Sequence, residues 1–127
     1  MFISLSALLG NLNFTDSGII VDPSAASFIA EIQKHGKYAV RKAKNDVLDG
    51  IRYTSACLQN HSIMFNDCCE NTFKEFASYV WDTDKSKSTG VDTVLKQNDH
   101  AMDDIRYFCY TILKGEDGMP SVLNFGR

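Results

Sequence analysis

Short apolar runs, each opening directly into a helix signal, punctuate this chain, and that alternation most restricts the folds open to it. Gly18-Ile19-Ile20-Val21 is bounded by Ser17 and Asp22, the pattern of a short buried strand. Behind it, Asp22 or Ser24 can cap a helix, Pro23 suits a first helical position, and Ala25, Phe28, Ile29 and Ile32 recur with helical period until Gly36. Tyr38-Ala39-Val40 reads as a second strand, followed by a helix capped by Asn45 with Val47, Leu48, Ile51 and Leu58 on one side. Ile63-Met64-Phe65 reads as a third strand, and the next helix carries Cys69, Phe73, Phe76 and Val80. A last helix over 99–113 shows the stripe Ala101, Ile105, Phe108, Cys109 and Ile112. Repeated strand-helix units predict an α/β domain whose short, mostly parallel sheet is flanked by helices, with functional groups at the carboxyl ends of strands. Asp22 stands at such an end.

Length and charge narrow the class further. A chain of 127 residues supports one domain with a real core. Its net charge of −3 excludes a basic field over the whole surface, so nucleic acid would have to meet a local cluster such as Lys34, Lys37, Arg41, Lys42 and Lys44. Cysteines 57, 68, 69 and 109 make no CxxC pair, and His61 to Cys68 matches no zinc framework, so they read as buried thiols of a cytosolic protein. No apolar run approaches the ~20 residues of a membrane span. No phosphate-binding GxxxxGK[ST] loop or Ser-His-Asp signature occurs. Residues 82–97, rich in Asp, Lys, Ser and Thr, read as a mobile loop.

The chemistry concentrates in Asn98-Asp99-His100-Ala101-Met102-Asp103-Asp104-Ile105-Arg106-Tyr107, which sets three carboxylates and an imidazole in the first turns of the last helix. Hard divalent cations take carboxylate oxygens, and two of them about 3.5–4 Å apart clamp the attacking and leaving oxygens of a phosphodiester. Asp22 and Asp103 could converge on such ions from different elements, with His100 one turn before Asp103. The plainer reading stays open beside this one. Acids suit a helix's first turn because of its dipole, and Asp99, His100 and Asp103 fall opposite the apolar stripe, as a solvated face would. Asp22 before Pro23 also suits an ordinary cap. Lys44 reads as a phosphate contact or a surface lysine, Arg106 and Tyr107 as helix packing, and Glu75 as solvated.

Three segments carry a resemblance: Ile20-Val21-Asp22-Pro23-Ser24-Ala25-Ala26-Ser27-Phe28; Lys42-Ala43-Lys44-Asn45-Asp46-Val47-Leu48-Asp49-Gly50-Ile51-Arg52; and Lys96-Gln97-Asn98-Asp99-His100-Ala101-Met102-Asp103, continuing to Arg106-Tyr107. Together with the segment from Glu75 to Asp82, ending Tyr79-Val80-Trp81-Asp82, they resemble, in the same order, the carboxyl-terminal nuclease domain of the large subunit of tailed-phage terminases. The resemblance implies a partial RNase H-like fold over residues 18–113, preceded by a helical or irregular segment over 1–17 and followed by a tail over 114–127. It implies an endonuclease of viral DNA packaging that depends on Mg2+ or Mn2+. Asp22 and Asp103 would be metal ligands, His100 the active-site histidine, Asp99 a supporting acid, and Lys44 a weaker DNA contact.

The family's first catalytic aspartate and its packaging ATPase lie before the segment matched here, so the expectation is a truncated subunit, inactive alone, in the cytoplasm of a bacterial host. Complete relatives would meet double-stranded DNA, the portal protein and the small terminase subunit, with no membrane. Two alternatives accompany it: one half of a split terminase that joins a separate amino-terminal chain, or a prophage remnant serving as a non-enzymatic binding or structural protein.

Overall fold

The computed structural model describes residues 18–114, so the expectations for 1–17 and for the tail beyond Lys114 lie outside the described residues. Strand β1 (Gly18–Val21) leads through helix α1 (Ala26–His35) to strand β2 (Ala39–Lys42). The two strands pair in parallel, Gly18 opposite Ala39 and Val21 opposite Lys42. Parallel pairing needs a crossover, and α1 supplies it. Gly36 ends α1 in the left-handed region at φ +61°, the conformation that a glycine adopts without steric cost. Helix α2 (Val47–Gln59) follows, then α3 (Glu70–Ser78), α4 (Thr83–Thr89), α5 (His100–Phe108) and a π-helical turn, Cys109–Leu113, that continues α5.

The core forms where α2 packs on the end of α5. Cys57, Leu113 and the fully buried Cys109 are its centre, with Tyr53, Ile63, Ile105 and Phe108 packed around them. Burial raises the Cys57 thiol and pushes Cys109 up to about 12, so both are held as neutral thiols. Of the adjacent pair, Cys68 is exposed and Cys69 only partly buried, in keeping with a doublet that can bury at best one thiol. Tyr53 and Tyr110 meet edge to face at 6.2 Å.

Three local expectations need correction. Residues 63–65 form no strand. The chain leaves α2 through a tight turn in which Ser62 N donates to Cys57 O, Met64 stands 79% exposed, and Phe65 packs against Phe76 at 5.7 Å instead of joining the sheet. Residues 82–97 are more than a loop, because they contain α4. Asp82 caps that helix by accepting from Lys85 N, Gly90 closes it at φ +70°, and a short antiparallel bridge between Trp81 and Val94 ties the excursion at its base. Asn45 and Ser24 are not helix caps. The flanking positions are Asp46 for α2 and Ala25 for α1, neither with a side-chain cap bond.

The last helix buries Met102 and Arg106 beside the stripe read in the sequence, whose Cys109 is fully buried and whose Ile105 and Phe108 pack on the core. Ala101, Ile105 and Phe108 themselves are half-buried. A buried arginine in the middle of the inward face is the feature from which the site grows.

Candidate functional site

Asp22 follows the last residue of β1 and is held by its own turn. Its Oδ1 accepts from Ser24 N at 2.8 Å and from Ser24 Oγ at 2.6 Å, the local bonding that aspartate favours at a turn. Its Oδ2 accepts from the hydroxyl of Tyr107 on α5. A strand end and the final helix are thereby joined by one charge-assisted hydrogen bond. The Ser24 side chain, then Tyr107, hold the Asp22 carboxyl below its ordinary value near 3.8. Tyr107 moves the opposite way: burial, then the bond to Asp22, pushes its phenol up to about 12.

One turn before Tyr107, Asp103 meets two cations. Its Oδ1 accepts from Arg106 Nη2 at 2.7 Å, and its Oδ2 from Lys96 Nζ at 3.1 Å. Arg106 is 3% exposed, donates through Nη1 to the carbonyls of Asn45 at 3.1 Å and Asp46 at 3.4 Å, and lays its guanidinium 4.7 Å from the Tyr107 ring centre. Burial works against its charge, and the hydrogen bond and charge of Asp103 outweigh it. Lys96 also contacts Asp99 Oδ2 at 3.0 Å, an ion contact without hydrogen-bond alignment, so one ammonium spans two acids. Asn98, in the left-handed region at φ +51°, makes the reversal between Lys96 and α5, a conformation that asparagine tolerates better than most residues. The start of α5 is served from another helix, for Glu75 Oε2 accepts from Ala101 N at 2.7 Å.

A chain that joins a strand-end aspartate to an acidic helix in this way has known relatives. The large terminase of a thermophilic bacteriophage, solved in complex with ADP, is 56% identical and superposes with a TM-score of 0.70, over 76% of this chain and 23% of that one. The complex of that terminase with ATP-gamma-S matches equally well, over 76% and 24%. The terminase large subunit of Escherichia phage T5 is 29% identical over 100 residues, 77% of this chain and 23% of that protein. The chain is homologous to phage large terminases. It spans about a quarter of the length of these relatives. No protein-family model matches it. The α/β, RNase H-like expectation, with a short parallel sheet flanked by helices, agrees with both the architecture and these structural matches.

Within this terminase homologue, the structure places Asp22 on Tyr107 and Asp103 on Arg106, neighbouring positions of α5. Arg106 also acts electrostatically on Asp22, which sets both carboxylates in one field. His100 is exposed on the first turn of α5, and burial pushes up the carboxyl of Asp104 on the same helix. Lys44 is exposed just after β2, its backbone N–H donating to Thr111 Oγ1 at 3.0 Å. Asp99 is only 8% exposed, so the solvated-face reading fails for it. Glu75, read as solvated, caps α5. Reading the sequence missed the parts played by Lys96, Arg106 and Tyr107. A signal for the last two was present: Arg106 and Tyr107 lie three and four residues after Asp103, the spacing of side chains that meet on a helix.

Mg2+ or Mn2+ suits the donor chemistry of Asp22 and Asp103, since both ions take hard carboxylate oxygens. In number the donors fall short. Among the described residues no three His, Cys, Asp or Glu side chains are grouped closely enough to hold a metal ion. Asp22 and Asp103 by themselves therefore do not make up a divalent-ion site.

The Asp22 turn makes its own prediction. A carboxylate with a lowered folded pKa adds stability above its unfolded value, and that stability is lost as pH falls through the folded value. Ser24→Ala is expected to raise the Asp22 titration midpoint back toward 3.8, and Tyr107→Phe to raise it by less, following the order of their influence. Carboxyl carbon NMR titration from acid to neutral pH reads this directly, and an unchanged midpoint in Ser24→Ala would remove the assigned cause.

Proposed function

We propose that this chain forms part of the nuclease region of a phage large terminase, a Mg2+- or Mn2+-dependent DNA endonuclease working in viral genome packaging in the cytoplasm of a bacterial host. The observation that carries this reading is the bond from Asp22, at the end of β1, to Tyr107 on the helix that bears Asp103, in a chain homologous to large terminases. Asp22 and Asp103 would hold the divalent ion together with donors supplied from elsewhere, and the ion would supply charge neutralisation at the scissile phosphate. His100, exposed one turn before Asp103, would face water or phosphate. Lys44 would touch the DNA backbone. Double-stranded DNA, the portal protein and the small terminase subunit are the partners this reading carries.

Because the described residues supply too few grouped donors for a complete site, the chain alone is expected to leave supercoiled plasmid intact in Mg2+ or Mn2+. Robust nicking that disappears in Asp103→Ala would show a complete site and overturn that expectation. Mixing with a separate amino-terminal terminase chain tests the split-subunit arrangement: nicking restored only in the mixture supports it.

A second reading has its own observation. Asp103 is matched by Arg106 and Lys96, and Asp22 by Tyr107 and Ser24, so the acids are already satisfied as a structural ion network is. On that reading the chain is a non-enzymatic remnant. Absence of both nicking and any association with the amino-terminal chain would favour it.

A further inference from the structure

The two strands of the sheet differ in what borders them. Ile20 and Val21 of β1 are each 6% exposed, whereas their register partners on β2, Arg41 and Lys42, are open to solvent. A charged border guards a sheet against pairing with another strand, and a lysine on the edge serves that purpose. The charge here exceeds it. Between Gly36 and Asn45 the chain carries Lys37, Arg41, Lys42 and Lys44 and no acid, within a protein whose net charge is −3. Cations on the neighbouring helices have acids beside them, Lys34 on Glu31 and Arg52 on Asp49. Lys37, Arg41 and Lys42 form no ion pair among the described residues, and Lys37 instead stands 5.4 Å from the Tyr38 ring centre.

The row also has a direction. Lys42 lies opposite Val21, the residue before Asp22, and Ala43 N donates to Val21 O, so the carboxyl end of β2 sits beside Asp22. At the other end, Lys37, His35 and Tyr38 line a groove of about 460 Å3 together with Ile19 and Ile32.

We infer that the β2 edge is a docking strip for the phosphate backbone of duplex DNA, with Lys37, Arg41 and Lys42 as its contacts, and that it leads the backbone toward Asp22. The strip's role rests on the nuclease reading above, and its contacts involve no metal ion. Duplex DNA carries one negative charge for about every 1.7 Å of its axis, so a row of cations without an acid is attracted wherever along it the duplex lies. Arg41 and Lys42 leave opposite faces of the strand, and their long stems let both heads reach one polyanion past the open edge. An acidic protein is the poorer match. Protein interfaces deplete lysine and centre on aromatic anchors, whereas β2 itself exposes Ala39, Arg41 and Lys42.

The test is fluorescence anisotropy of a labelled duplex about two helical turns long, titrated with the full 127-residue chain in EDTA from about 50 to 200 mM salt. Arg41→Gln combined with Lys42→Gln is expected to weaken binding about ten-fold at the lower salt and to flatten the salt slope by about 1.8, since each lost phosphate contact removes about 0.9. Lys85→Gln combined with Lys87→Gln, on exposed positions of α4, changes the net charge equally and is expected to leave both readouts near wild type. Arg41→Lys, which keeps the charge, is expected to do the same. Equal losses in the two Gln pairs would reduce the effect to overall charge and overturn the inference. Tighter binding of labelled polyglutamate than of duplex would assign the strip to an acidic protein and overturn it as well. If the wild type binds duplex and the β2 pair binds it equally, only this surface fails. If the wild type shows no binding, DNA contact by this chain fails with it.

Discussion

Replacing Arg106 by alanine is expected to lower the stability of the chain by about 3–5 kcal/mol, the cost of removing one partner from a buried ion pair. Three losses coincide at this position. Asp103 is left without its short partner at 2.7 Å, the carbonyl of Asn45 loses the guanidinium and that of Asp46 keeps only Gly50 N, and a 3% exposed side chain becomes a cavity between α2 and α5. Arg106→Lys is expected to recover only a small part of the loss, since an ammonium cannot reach a carboxylate and two carbonyls with one planar fork. Urea unfolding followed by circular dichroism measures both variants. A loss below about 1 kcal/mol, the range of surface pairs, would show that the guanidinium contributes no more than an exposed cation does.

Gly50→Ala carries the second large effect, and its sign is the unusual part. An alanine in the interior of an exposed helix normally gains about 0.5–1 kcal/mol over glycine. Here a Cβ would lie 2.8 Å from Arg106 Cγ and 2.9 Å from Cδ, the middle of a side chain clamped at its far end. Overpacking of this kind costs about 1–3 kcal/mol, so the net effect is expected to be destabilising. The clash disappears with the arginine. In the Arg106→Ala background, Gly50→Ala is expected to turn neutral or stabilising, giving a coupling of about 1–3 kcal/mol in a double-mutant cycle. Additive losses in that cycle would mean that Gly50 serves a purpose other than admitting Arg106.

These two positions also explain what the sequence could disclose. The β1-α1-β2 unit was legible because each signal is local: a four-residue apolar run, a helical period and a glycine at φ +61°. The third strand failed because an apolar triplet has two uses, pairing in a sheet or packing against a helix, and Phe65 takes the second on Phe76. Asp22, Asp103, His100 and Lys44 could be named from their chemistry and from a family resemblance. The groups that organise the acids could not, because their roles depend on long-range geometry. Arg106 reads as ordinary helix packing until α2 offers it a glycine, and Glu75 reads as solvated until α5 starts beside it. Lys96 sits in a polar stretch that reads as a loop, and only the turn at Asn98 brings it over the acids.

The excursion between α3 and α5 is fastened on both sides: Leu95 N donates to Val80 O, Asp82 N to Thr93 O, and Ala101 N to Glu75. Its tip around Gly90 is therefore insulated from the acids by its own anchor points. Lengthening a chain tied in this way costs only closure entropy, about 0.6 kcal/mol for each doubling. The tip is thus a natural insertion point for a fluorophore or an affinity peptide, one that would report on the protein without disturbing Asp103.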